Sequence, residues 1–337
     1  MYKGRFDYGK ERLPTRLDAK DKQIVSMLLH NSRTALTSIA KKTRLSRDGV
    51  DYRVKRLEKE GIIKGYNVTI KYEALGYHVF HVFLLVEEKD QTERKRFIDF
   101  MKENESVIRL IEYTDRWDFE TAIIAKTVIE FDEIIMNIVS EFPKLIIEKS
   151  KLETIRRFNI HNAPMLIGKE KIKIEKRIVQ KEIRIDETDK QILKEISNNC
   201  RKAYYEIGTK IGVSSDTVRY RVKKMIADGI INEFTTMIEL SRIGYQFYTF
   251  TMNLNLFDKK NEYKMESYIM DQNSIVGSMK MLGTWDLIIY IAVQNHREFH
   301  VIVKELKNLF SDTIKQYDTW VAYKEHFYKP IPSIITK

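Results

Sequence analysis

Apolar positions in this chain follow a helical period, then a strand period, and the whole alternation occurs twice. From Leu17 onward, Ile24, Val25, Leu28 and Leu29 fall at helical spacing. They predict a helix over about 18–31, with Asp18 as its N-cap and Asp21 in its first turn. A short helix over about 36–42 is centred on Ile39 and Ala40. After a turn, Ser46 is a good N-cap for a third helix. In it Val50, Val54 and Leu57 stand at i, i+4 and i+7 and make a buried stripe, and Gly61 closes it. Residues 62–70 read as a small β-wing. The period then changes. YHVFHVFLLVE predicts a strand, and QTERKRFIDFMKEN a helix with Phe97, Ile98 and Met101 on one face. Two strands, a helix over VIEFDEIIMNIVSEF and a last strand complete the order β-α-β-β-α-β.

The same pattern returns at a constant offset of 168 residues without a gap. Asp18, Asp21, Lys22, Gln23 and Ile24 repeat as Asp186, Asp189, Lys190, Gln191 and Ile192. Tyr52-Arg53-Val54-Lys55 repeats as Tyr220-Arg221-Val222-Lys223, and Trp117-Asp118 as Trp285-Asp286. The chain is a tandem duplication of one two-part unit.

Short helix, turn and a capped helix with a basic outer face is the helix-turn-helix pattern, whose last helix enters the DNA major groove. The expected fold class is α+β, with two winged helix-turn-helix domains alternating with two ferredoxin-like βαββαβ domains. The expected boundaries are 1–16 for a basic N-terminal extension, 17–70 for the first DNA-binding domain and 71–160 for the first sensor domain. A charged linker over 161–184 precedes the second pair, at 185–238 and 239–330. The DNA-facing set predicted in the first copy is Ser46, Arg47, Asp51, Tyr52 and Lys55, flanked by Arg53 and Arg56. In the second it is Ser214, Ser215, Thr217, Arg219, Tyr220, Arg221, Lys223 and Lys224. Arg47 is matched by Ser215, and Asp51 by Arg219, so two non-identical half-sites are predicted. Each βαββαβ domain puts both helices on one sheet face. Apolar residues such as Val79, Ile123, Phe247 and Ile289 imply that the other face is also covered, by the second domain or by another chain.

Charge sharpens this picture. The chain carries a formal +11. Residues 1–66 hold 17 Lys/Arg against 8 Asp/Glu, whereas residues 67–160 hold 14 against 18. The excess sits where a phosphate backbone would be met, and Arg5, Arg12 and Arg16 of the extension are candidates to reach it. The longest apolar runs, such as VFLLV, fall far short of a membrane span of about 18 residues, and the start is polar. One cysteine, Cys200, permits neither an internal disulfide nor a cysteine zinc site and fits a reducing cytoplasm.

The residues now set out carry a family resemblance. LDAKDKQI with NSR, the run SRDGVDYRVKRLEKEGIIKGY and LGY in the first copy, with IDETDKQIL, SSDTVRYRVKKMIADGII and IGY in the second, resemble Lrp/AsnC (feast/famine) transcriptional regulators fused head to tail. The resemblance implies sequence-specific binding of double-stranded DNA, homo-oligomers built through the ferredoxin-like domains, and control by an amino-acid-like effector. It also implies an effector site near a Gly-x-x-Asp turn between the second and third sensor strands. Here that turn gives Gly283 and Asp286. The first copy keeps Asp118 but has Asp115 where the glycine would stand.

Other chemistry has little footing in the sequence. His296 and His300 share a helix face, but no acidic residue completes a metal site, and neither a phosphate-binding loop nor a nucleophile elbow is present. No cofactor and no catalytic residue are predicted. Two alternatives share the architecture: a siroheme-decarboxylase-like enzyme, and a protein-interaction hub.

Overall fold

The computed structural model describes residues 3–10, 13–87, 90–160, 163–164, 166, 182–255 and 258–337. The first three helices are α1 (Ala19–His30), α2 (Leu36–Thr43) and α3 (Arg47–Lys59). Asp18 caps α1 in a reciprocal box with Asp21, and Ser46 caps α3 through the Gly49 N–H at 3.0 Å. Val50, Val54 and Leu57 are buried, as their spacing requires, and Gly61 leaves the helix at φ +71°. The wing is β1 (Ile63–Ile70). The second copy repeats this as α6 (Glu187–Asn198), α7 (Tyr204–Ile211), α8 (Ser215–Ala227) and β6 (Ile231–Ile238).

The wings are not separate. β1 and β6 pair antiparallel, with Tyr66 opposite Thr236 and Val68 opposite Phe234, and this ribbon ties the two winged helices together. Equivalent residues meet across it. Ser32 and Cys200 occupy the same position in the two copies, and their Oγ and Sγ lie 3.0 Å apart. Arg33 donates to the Cys200 carbonyl, and Arg201 donates to the Ser32 carbonyl at 2.8 Å. These reciprocal contacts mark a pseudo-two-fold axis. Burial pushes the Cys200 thiol up to about 11, which leaves it an inert packing group.

The first sensor half consists of β2 (His78–Val86), α4 (Gln91–Glu103), β3 (Val107–Tyr113), β4 (Phe119–Ala125), α5 (Val128–Glu141) and β5 (Ile146–Ile160). The second consists of β7 (Gln246–Leu254), α9 (Lys259–Asp271), β8 (Ile275–Gly283), β9 (Leu287–Val293), α10 (His296–Leu309) and β10 (Ile314–Tyr328). Within each half the sheet order is the ferredoxin-like one. β5 of the first half then pairs with β8 of the second, and β10 pairs with β3, so the two sheets close into one antiparallel barrel of order β10-β3-β4-β2-β5-β8-β9-β7. The long fourth strands make both joints. The two sensor sheets therefore cover each other within the chain, which resolves the choice the apolar pattern leaves open. Closure also removes the free sheet edges that would otherwise recruit other strands.

The N-terminal segment corrects an expectation. Instead of reaching toward DNA, Arg5 is buried and forms a bidentate pair with Glu325 on β10, its Nη2 at 2.7 Å. Phe6 is fully buried and stacks on Phe247 at 4.6 Å. An apolar Phe beside a guanidinium that finds a buried carboxylate gains more from the sensor core than from solvent. Arg16 is exposed, and Arg12 lies outside the described residues. So does most of the predicted linker, although Ile183 donates to the Ala74 carbonyl where that segment ends. No helix among the described residues is long and apolar enough to cross a membrane.

Candidate nucleic-acid interface

α3 and α8 present the faces opposite their buried stripes. Tyr52 is 68% exposed and Tyr220 65%, unusual for side chains that a protein core would accept. Around Tyr52 stand Arg47, Asp51 and Lys55, with Lys55 Nζ 2.7 Å from Asp51 and Arg47 3.4 Å from Asp48. The Asp51 carboxylate holds the Lys55 ammonium above its ordinary range. Around Tyr220 stand Arg219, exposed Lys223 and Lys224, and Asp216, whose Oδ1 accepts from Arg219 at 2.8 Å. These are loose surface pairs that a phosphate or a base edge can replace at small cost. Ser46 and Ser214 are spent as N-caps, Ser214 accepting from the Thr217 N–H at 3.0 Å. Ser215 opens α8 and is half-buried.

Three arginines predicted for this face point elsewhere. Arg53 donates to Asp18 at 2.7 Å and to Asp21 at 2.8 Å, and Arg56 donates to Asp21 at 2.6 Å. Arg221 repeats the contact with Asp186 at 2.6 Å. The capping carboxylates of α1 and α6 lie beside the flanks of α3 and α8 and capture these guanidiniums. Their role in this structure is to clamp the recognition helices in place.

The predicted effector turns are likewise engaged. Asp118 Oδ2 accepts from the Val86 N–H at 2.7 Å, and Asp286 Oδ2 accepts from the Leu254 N–H at 2.8 Å. The neighbouring Trp117 and Trp285 are buried and meet edge-on at 6.4 Å. Gly283 has φ +145° and runs against β5, where a Cβ would lie 2.7 Å from the Lys151 carbonyl oxygen. His296 donates to or accepts from Tyr248 at 2.8 Å, and no metal-ligating group forms among the described residues.

Sequence reasoning missed a polar network inside the barrel. Glu120 is fully buried and accepts from His81 Nδ1 at 2.9 Å, Arg109 at 2.7 Å and Tyr113 at 2.6 Å, and also from Tyr290 of the other sheet. Burial alone would push the Glu120 carboxyl up, but Arg109 and these donors hold it well below the usual carboxylate range. Burial pushes the His81 imidazole down, against the pull of Glu120, so it is neutral at pH 7. The equivalents of His81, Arg109, Glu120 and Ala122 in the second copy are Thr249, Gly277, Ile288 and Tyr290. The signal available in the sequence was this divergence at aligned strand positions.

Comparison with known proteins agrees with this geometry. A winged helix-turn-helix DNA-binding model matches residues 17–64 and 185–232. The HTH-type transcriptional regulator Rv2324 of Mycobacterium tuberculosis is 23% identical over 125 residues, 37% of this chain and 84% of that protein. The HTH-type transcriptional regulator LrpA of Pyrococcus horikoshii is 46% identical over 61 residues, 18% of this chain and 43% of its own length. The first of these alignments spans less than one unit of this chain. Over both units, the fold is similar to that of the siroheme decarboxylase NirDL, with TM-score 0.61, 10% identity and coverage of 94% of this chain and 97% of that one. With two matched winged helices, each followed by a βαββαβ half, the protein resembles the Lrp/AsnC type and carries two such units in tandem.

Proposed function

We propose that this protein is a sequence-specific, DNA-binding transcriptional regulator that acts in the cytoplasm. The observation that carries the reading is the pair of capped helices, α3 and α8, whose exposed polar faces are fixed relative to each other by the β1–β6 ribbon. Lysines and arginines supply affinity through phosphates, and the differing side chains around Tyr52 and Tyr220 supply unequal base readout. Ser46, Arg47, Asp51, Tyr52 and Lys55, with Ser214, Ser215, Thr217, Arg219, Tyr220, Lys223 and Lys224, face or frame the DNA. A small-molecule, amino-acid-like effector modulates binding, with Gly283, Asp286 and Asp118 as the turn positions nearest to it. Because the sheet faces are used within the chain, further assembly into homo-oligomers uses the outer helices, where Val128, Ile129 and Met136 of α5 are exposed. Selection from random double-stranded DNA at roughly 150 mM salt tests the reading. Enrichment of one motif with two unequal halves supports it, and salt-sensitive binding that selects nothing overturns it.

The likeness to NirDL over nearly the whole chain favours a second reading, a tetrapyrrole-acting enzyme. The cavity between the sensor sheets weighs against it. Its volume is about 80 Å³, well below the roughly 300–1,000 Å³ of sites that enclose large ligands. A Soret band on adding siroheme to the purified protein would favour the enzyme.

A further inference from the structure

The small cavity between the sheets has a wall of unusual composition. Arg5, Arg109 and Arg157 line it together with His81, Tyr72 and Tyr290. Apolar side chains, among them Val276 and Met279, complete it, and no carboxylate is among its lining residues. Two of the arginines are matched from behind, Arg5 by Glu325 and Arg109 by Glu120. The third is not. Arg157 has Glu73 at 3.8 Å, and that carboxylate is half exposed, so the pair is weak. Arg109 Nε is buried without a hydrogen-bond partner. A buried donor left unpaired costs about 1–3 kcal/mol and calls for an explanation such as a bound ion. The site is thus rich in donors, with one weakly paired cation and no lining carboxylate.

We propose that this cavity binds a small monocarboxylate, its oxygens on Arg109 and Arg157 and its short tail against Val276 and Met279. The single weakly paired charge fits a monoanion better than a phosphate dianion, since excess buried charge is costly. The apolar part of the wall fits an organic acid better than a halide. The absence of a lining carboxylate disfavours an amino acid, whose ammonium would face guanidiniums unpaired. A 2-oxo acid or an unsubstituted short acid satisfies all three conditions. The site reaches the junction with the DNA-binding half: Tyr72 lies in the tight turn Tyr72–Leu75 that follows the wing strand β1. That binding alters DNA affinity rests on the small-molecule control proposed above, with an organic acid in this cavity in place of an amino acid; binding itself does not.

Full-length protein carrying ¹³C-methyl methionine provides the test, with the Met279 signal assigned through Met279→Leu. Propionate and 2-oxobutyrate should move the Met279 signal saturably, while L-alanine, chloride and phosphate at the same concentration leave it in place. Arg157→Gln, at a partly exposed position, should weaken the acid about tenfold and keep DNA binding in its absence. The site is wrong if no acid moves Met279, if Arg157→Gln binds as well as the parent, or if chloride or phosphate moves it equally. An acid that changes DNA affinity without moving Met279 also overturns the site, while leaving effector control standing. An acid that moves Met279 but leaves DNA affinity unchanged confirms the site and removes that acid as the effector.

Discussion

Lys55 and Arg219 stand on the same face of their recognition helices but one turn apart in register, and their chemistry predicts different losses. Lys55 is an exposed ammonium beside Asp51, suited to a phosphate. Replacing it with Ala should weaken binding to all sequences alike and lower the salt slope by about 1. Arg219 has a planar fork able to read a guanine edge. Its change to Ala should cost about 1–3 kcal/mol at one half-site and relax base preference there. Gel-shift titrations across salt and across a small library of variant sites separate the two, and unchanged binding in both would remove α3 and α8 from the interface. Glu233, on β6 opposite Thr69, makes a pH prediction. Burial raises its carboxyl to about 7, above an ordinary 4.5. The folded protein therefore keeps this proton over a window in which the unfolded chain has released it. The contribution to stability is full below about 4.5 and is lost as pH rises through about 7. Glu233→Gln should flatten that decline, seen as a smaller difference between urea midpoints at acid and mildly alkaline pH.

Each element owes its ends to local signals and its place to contacts made far away. The caps at Asp18 and Ser46 are legible because an Asx or Ser before an apolar stripe has few other uses, and Asp186 and Ser214 cap the second copy at the repeated positions. The destination of β5 and β10 was not legible. Both are 15 residues long, and the extra length joins the opposite sheet. Gly283 sits at one of these joints, opposite Leu152. Its positive φ and the close Lys151 carbonyl leave no room for a side chain. Gly283→Ala should lower stability by about 2 kcal/mol or more, and a urea midpoint equal to that of the parent would show the joint to be slack.

The molecule as a whole is a pseudo-symmetric pair made from one chain. Ribbon and barrel both tie the halves, so α3 and α8 keep a fixed separation. Two helices held at one separation suit half-sites at one spacing, and inserting about 5 bp between these rotates one to the wrong side of the duplex. The insertion should weaken binding by about tenfold or more, because neither tie can flex to follow. Equal affinity for the lengthened site, measured by gel shift, would mean that the winged helices act independently. The barrel interior also shows what fusion allowed. Glu120 and Arg109 of one copy meet Tyr290 of the other, and Tyr113 meets Thr249. The Gly277 position has room for the Tyr290 ring only because it lacks a Cβ, which would lie 2.9 Å from that ring. A symmetric pair of first copies would bury two sets of charges without that complement.

From sequence alone came the repeat, the order of elements in each unit, the capped recognition helices and the exposed faces around Tyr52 and Tyr220. Those features depend on periodicity and on neighbours a few residues away, which the order of residues records directly. Only the tertiary structure decided where Arg5, Arg53, Arg56 and Arg221 point, that the two sheets close on each other, and that a polar network and a donor-lined cavity lie between them. A charged side chain reads the same in sequence whether it faces solvent or a carboxylate more than 300 residues away, as Arg5 and Glu325 do. Its partner is fixed only when the sheets meet and burial makes an unpaired charge too costly to keep.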